Sequence, residues 1–200
     1  MEFELEPSPP STDQCRPAMP GRVRCSLAIH PKHGVAIVSC YHGVAFMASG
    51  CPCGTNHKAI LIVEVNRVPG LQVSPPARFI GIEVNPYPID PAERDRDVAW
   101  FTCPPKLQGL RARPVATGSV GLDELVEVQT SFGPFFHQVV GLPSRGSHDE
   151  LLLSQDRLPR GDGSPSSFTP GQSGSPVLNR SGELVAVVRD KAGHCGRVVV

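Results

Sequence analysis

The apolar residues of this chain come in short runs, some of them alternating as in ARFIGIEV (77–84), and each run is closed by glycine, proline or a polar cluster. VRCSLAIH (23–30) and GVAIVSC (34–40) flank the turn Pro31-Lys32-His33-Gly34, and KAILIVEV (58–65), ARFIGIEV (77–84) and RDVAWF (96–101) follow. A second set comprises LVEVQTSF (125–132), FFHQVVGL (135–142), ELLLSQ (150–155), PVLN (176–179) and ELVAVV (183–188). Alternation at period two is the pattern of a half-buried strand, whereas an amphipathic helix repeats its apolar residues every three or four positions. No helical pattern of three turns is present, and 20 glycines with 22 prolines punctuate the 200 residues. The chain is therefore expected to be all-β, in two halves joined by the weakly patterned CPPKLQGLRARP (103–114). Residues 1–20, with five prolines, read as a mobile tail. Residues 21–105 and 106–200 read as two packed β units.

Charge excludes one class of partner. Nineteen basic and 19 acidic residues cancel, and no long basic block occurs, so nucleic acid has no electrostatic footprint here. No apolar stretch approaches the roughly 20 residues of a membrane span. The opening MEFELEPSPP is acidic and proline-rich, unlike a secretory signal. Seven cysteines (Cys15, Cys25, Cys40, Cys51, Cys53, Cys103 and Cys195) leave at least one unpaired, and their spacing is not that of a compact disulfide framework. A reducing, cytoplasmic setting is expected. The sequon Asn179-Arg180-Ser181 carries no weight there, and Arg160-Gly161-Asp162 reads as part of a loop.

GQSGSP (171–176) is the segment with most chemical content. A serine hydroxyl becomes a nucleophile when a base takes its proton, an acceptor orients that base, and backbone N–H groups face the developing oxyanion. Gly171 permits a backbone turn that would let the N–H groups of Gly171 and Ser173 converge, Gly174 leaves room beside the hydroxyl, and Pro176 fixes the exit. The alternative is a tight loop with a chance serine. Among seven histidines, His42 directly follows the apolar run 35–38 and Ser39-Cys40-Tyr41, at the rim of a strand. It is either the base or a satisfied histidine at a strand end. Asp97 opens an apolar segment that holds the only tryptophan, so a half-buried, partnered carboxylate is expected there. Asp90 and Asp95 lie in a polar loop and read as solvated.

The order His42, Asp97, Ser173 carries a resemblance. IVSCYHGV (37–44), DVAWF (97–101) and GQSGSPV (171–177) are similar to the histidine, aspartate and serine segments of chymotrypsin-like serine proteases, across roughly residues 22–192. The resemblance implies two antiparallel six-stranded β-barrels, 21–105 carrying His42 and Asp97 and 106–200 carrying Ser173, with the triad in the cleft between them. SFTPGQSGSPVLNRSGELVAVV most resembles the serine region of the flavivirus non-structural protease, and bacterial glutamyl endopeptidases and HtrA-type proteases share its core. Serine endopeptidase activity, with processing of a viral polyprotein in a host cytosol, is what the resemblance implies, and it implies Gly171 and Ser173 as the oxyanion hole. It places Ser167 at the base of the specificity pocket, where the flavivirus enzymes have Asp, and Val187, Val188 and Arg189 along the pocket's far wall. Cleavage after an uncharged residue is then expected, with acidic residues second and basic ones last, since Arg189 and His194 lie near that wall. Gln172 replaces the aspartate that precedes the serine in digestive enzymes, so activation by an ion pair with a new N-terminus is not expected.

Polypeptide is the implied partner, and no cofactor is expected. The resemblance leaves open a cofactor strand from a neighbouring viral protein, or one supplied in cis by residues 1–30. Cys51, Cys53 and His57 have metal-ligand spacing, but the pair precedes Asp97, unlike the zinc ligands of hepacivirus proteases, so free thiols are the expectation and no metal is assigned. The competing readings are a catalytically silent barrel pair that binds protein, a cellular HtrA-like protease, and a β-rich structural protein.

Overall fold

A computed structural model describes residues 2–7, 23–43, 59–64, 82–84, 89, 97–130, 133–142, 150–154, 168, 171–192 and 195–199. The short apolar runs become strands. In the first half these are β1 (Glu2–Pro7), β2 (Val23–His30), β3 (Gly34–Cys40), β4 (Ala59–Glu64), β5 (Ile82–Val84), β6 (Val98–Thr102) and β7 (Arg113–Pro114). In the second half they are β8 (Leu125–Thr130), β9 (Gly133–Gly141), β10 (Glu150–Leu153), β11 (Pro176–Leu178), β12 (Leu184–Ala192) and β13 (Cys195–Val199). Apart from the turn at 41–43 and a 3-10 turn at Pro105–Leu107, the described residues hold no helix, and none is long and apolar enough to cross a membrane.

The second half closes as a six-stranded barrel, in the order β10-β13-β12-β11-β8-β9. The first half departs from the expected six-stranded barrel. It is a seven-stranded sheet in the order β5-β4-β1-β2-β3-β6, with β7 pairing parallel to the end of β2. The extra strand is β1, drawn from the stretch that reads by composition as a tail. Prolines and acids dominate residues 1–20, yet Glu2-Phe3-Glu4-Leu5-Glu6 alternates strictly, which suffices for a strand when neighbours offer unpaired edges. β1 runs antiparallel to β2 (Phe3↔Cys25) and to β4 (Phe3↔Val63). Among the described residues, β4 pairs only with β1 and β5. Deleting residues 1–7 should therefore strip amide-exchange protection from Ala59–Glu64 while leaving β8–β13 protected. Unchanged protection of β4 would show that β1 does not hold it.

Burial follows strand position. β8 alternates between buried and open positions, as on a barrel with one solvated face, whereas β2, β3 and β6 are buried almost throughout. The reason is that one core crosses the halves: Leu27, Ile37, Trp100 and Phe101 cluster with Leu178, Leu184 and Val187. Val126, Val128, Val139, Leu153 and Val177 fill the second barrel. Just past the connector, Ala116 donates to the Leu184 carbonyl at 2.9 Å. Cys25, Cys40 and Cys103 are buried. Cys51, Cys53 and His57 lie outside the described residues.

Candidate active site

Sheet register brings two of the sequence candidates together. β3 and β6 are antiparallel with Cys40 opposite Val98, so the residues just past one strand meet the residue just before the other. The Tyr41 N–H donates to the Asp97 carbonyl at 2.7 Å and closes that end of the pair. His42 follows on the single helical turn at 41–43. Asp97 adopts φ 61°, a left-handed conformation that aspartate tolerates better than most residues. Its carboxylate accepts from the His42 backbone N–H at Oδ1 (2.6 Å) and from His42 Nδ1 at Oδ2 (2.8 Å). Two bonds to one residue fix the ring's position and its orientation. Asp97 is 9% exposed, and the His42 side chain 48%. The hydrogen bond to Asp97, and then the contact with Cys40 Sγ (3.9 Å from Nε2), push the imidazole up from 6.5 to about 10, against burial.

The serine loop approaches from the second half and is fastened by backbone. Gly174 donates to the Val188 carbonyl (2.8 Å), Val188 donates to the Ser175 carbonyl (2.9 Å), and Arg24 of β2 donates to the Ser173 carbonyl (2.9 Å). The Ser39 hydroxyl, three residues before His42, donates to the Arg24 carbonyl at 2.6 Å. A short polar chain thus runs from the histidine strand through β2 to the serine loop. Gly174 permits this approach: at φ 85°, a Cβ there would lie 1.9 Å from the Arg24 carbonyl oxygen. Gly171 has φ 90° with open space around it. Gln172 is buried, and its side-chain oxygen accepts from Ser175 at 3.5 Å.

The Ser173 hydroxyl donates to the Arg189 carbonyl (3.0 Å). Arg189 connects the parts. Its Nε lies 3.2 Å from Asp97 Oδ2, and its terminal nitrogen pairs with Glu150 of β10. The resemblance implies Arg189 on a pocket wall; its guanidinium pairs with these carboxylates. The Val187 and Val188 side chains, 1% exposed, sit in the two cores. Ser167, His194, Asp90 and Asp95 lie outside the described residues. Phe168, next to Ser167, is buried against His137 with ring centroids 4.8 Å apart. Sequence reasoning missed the role of Ser39 and the pairing of Arg189 with Glu150. The hydroxyl residue three positions before the histidine is the one visible trace of the former.

No protein-family model and no curated protein matches the sequence. Solved structures do resemble the fold. The serine protease of a human pathogenic astrovirus is 16% identical, with a TM-score of 0.52 over 100% of this chain and 88% of that one. Deg5 is 16% identical, with a TM-score of 0.55 over 98% and 81%. The active form of the Rv3671c protease from M. tuberculosis is 14% identical, with a TM-score of 0.58 over 100% and 75%. In fold, though at low identity, the chain is similar to chymotrypsin-like serine proteases.

Proposed function

We propose that the chain is a serine endopeptidase in which Ser173 is the nucleophile, His42 the general base and Asp97 its orienting acid. The observation that carries this reading is the double hydrogen bond from His42 to Asp97, at the end of a strand pair in a serine-protease fold. In turnover the Ser173 hydroxyl rotates from the Arg189 carbonyl to His42 Nε2. Oγ then attacks the scissile carbonyl carbon while Nε2 takes the proton. The N–H groups of Gly171 and Ser173 receive the oxyanion, and His42 returns its proton to the leaving amine. Water, deprotonated by the same nitrogen, hydrolyses the acyl-enzyme. The resemblance of the serine segment to the flavivirus protease favours a viral polyprotein as substrate, and a cellular, HtrA-like protease is the second reading. The resemblance assigns Ser167 to the pocket base, and on that assignment cleavage follows an uncharged residue. Incubation with a fluorophosphonate should yield one adduct, mapped to Ser173 by peptide mass analysis. An unlabelled Ser173 in folded protein would favour the silent, protein-binding reading, which the serine's orientation towards Arg189 also suits.

The His42 value gives the proposed pH dependence its sign. An imidazolium cannot accept the serine proton, so kcat/KM should rise with pH towards about 10 rather than level off near 7. Stability runs the other way. The pKa is raised on folding, so the His42–Asp97 contribution is fully present below 6.5 and is lost as pH climbs through about 10. A kcat/KM profile already flat from pH 7 would contradict this account of the resting histidine.

A further inference from the structure

We propose that Arg189 is a positioning residue of the triad: its guanidinium, anchored by Glu150, holds the Asp97 carboxylate and shares that carboxylate's charge with His42. The inference rests on the triad reading above. Its starting point is a break in the β12–β13 ladder. Val188 pairs with Val198 and Asp190 with Arg197, so Arg189 has no partner of its own on β13. Such a bulge re-aims a side chain. The re-aimed guanidinium spans two carboxylates from two sequence-distant strand ends, with Nε on Asp97 Oδ2 at 3.2 Å and the terminal nitrogen on Glu150. The planar fork serves both acceptors at once from one rigid geometry, whereas an ammonium on a flexible stem would hold them less firmly. Asp190 Oδ2, at 3.9 Å from Nε, is the third carboxylate facing the guanidinium.

The consequence falls on His42. Asp97 Oδ2 is shared by His42 Nδ1 at 2.8 Å and Arg189 Nε at 3.2 Å. A cation at that oxygen lessens its attraction for the imidazolium, so Arg189 restrains the rise in His42 basicity that Asp97 and the neighbouring Cys40 thiol impose. Glu150 and Asp190 set how much of the guanidinium charge is left for this task. The Arg189 carbonyl meanwhile holds the Ser173 hydroxyl, so one residue of the bulge touches both the acid and the nucleophile.

The test follows the His42 ring through its titration by NMR in the full chain, alongside the pH profile of kcat/KM on a peptide substrate. Arg189→Met should raise the His42 midpoint by about one pH unit and move the activity profile to higher pH in step. Glu150→Gln should lower the midpoint, since it leaves the guanidinium to Asp97, and Arg189→Lys should fall between wild type and Arg189→Met. A purely structural role would reduce stability without these opposed shifts. An unmoved His42 midpoint in folded Arg189→Met overturns the proposal. Should that variant not fold, an unmoved or raised midpoint in Glu150→Gln overturns it. Failure of the triad reading looks different: the wild type neither hydrolyses peptide nor takes up fluorophosphonate. Failure of the clamp alone shows as an unmoved midpoint in a protein that does both.

Discussion

Ser173→Ala is expected to lower kcat/KM about 10⁴-fold or more, and His42→Ala to fall to a similar residual rate. The two groups act on one proton, so the double variant should lose little beyond either single change. The fold should survive Ser173→Ala. The hydroxyl makes one hydrogen bond, to the Arg189 carbonyl, and losing it costs about 1 kcal/mol. The bond from Arg24 to the Ser173 carbonyl belongs to the backbone and remains. Steady-state hydrolysis of a peptide, with circular dichroism melting beside it, separates the two effects. Retained hydrolysis in a well-folded Ser173→Ala variant would remove this serine from the chemistry.

Gly174→Ala is expected to have the largest effect on stability in the loop, roughly 4 kcal/mol or more, with loss of activity. Two causes add. The backbone at Gly174 has φ 85°, which a Cβ disfavours by about 1–2 kcal/mol. The Cβ would also lie 1.9 Å from the Arg24 carbonyl oxygen and 2.5 Å from Ser39 Oγ. The obstructing carbonyl is main chain within a β-sheet, so it cannot swing aside as a long side chain would. Gly171→Ala is the internal control. Its φ of 90° is equally left-handed, but nothing lies within 4 Å of the added carbon. It should cost only the conformational part, about 1–2 kcal/mol. Urea unfolding of both variants measures the difference. Equal losses would mean that the serine loop does not press on β2 as the structure has it.

Much of the architecture was legible because a strand's signal is local. VRCSLAIH, GVAIVSC and RDVAWF are short apolar-rich runs bounded by turn residues, and they became β2, β3 and β6 within a residue or two at each end. β1 was hidden because acids and prolines dominate its surroundings, and a strand of that composition is stabilised by the edges of β2 and β4 rather than by its own propensity. β13 was overlooked for a related reason. CGRVV carries little pattern, and its place is set by two neighbours, β10 and β12.

By itself the sequence determined an all-β chain, the strand-end positions of His42 and Asp97, and a glycine-flanked serine before a strand. Those features depend on residues close in sequence, and the hydrophobic period reports them directly. Tertiary structure decided the rest. A seven-stranded first sheet needed β1 to find two distant edges. The meeting of Asp97 with His42 needed the β3–β6 register. The turn of Arg189 onto Asp97 and Glu150 needed a bulge that exists only once β12 pairs with β13, and a carboxylate that the barrel brings up from 39 residues away. Side-chain direction at such a point is fixed by long-range pairing and by the placement of opposite charges, and neither is written in any local stretch of residues.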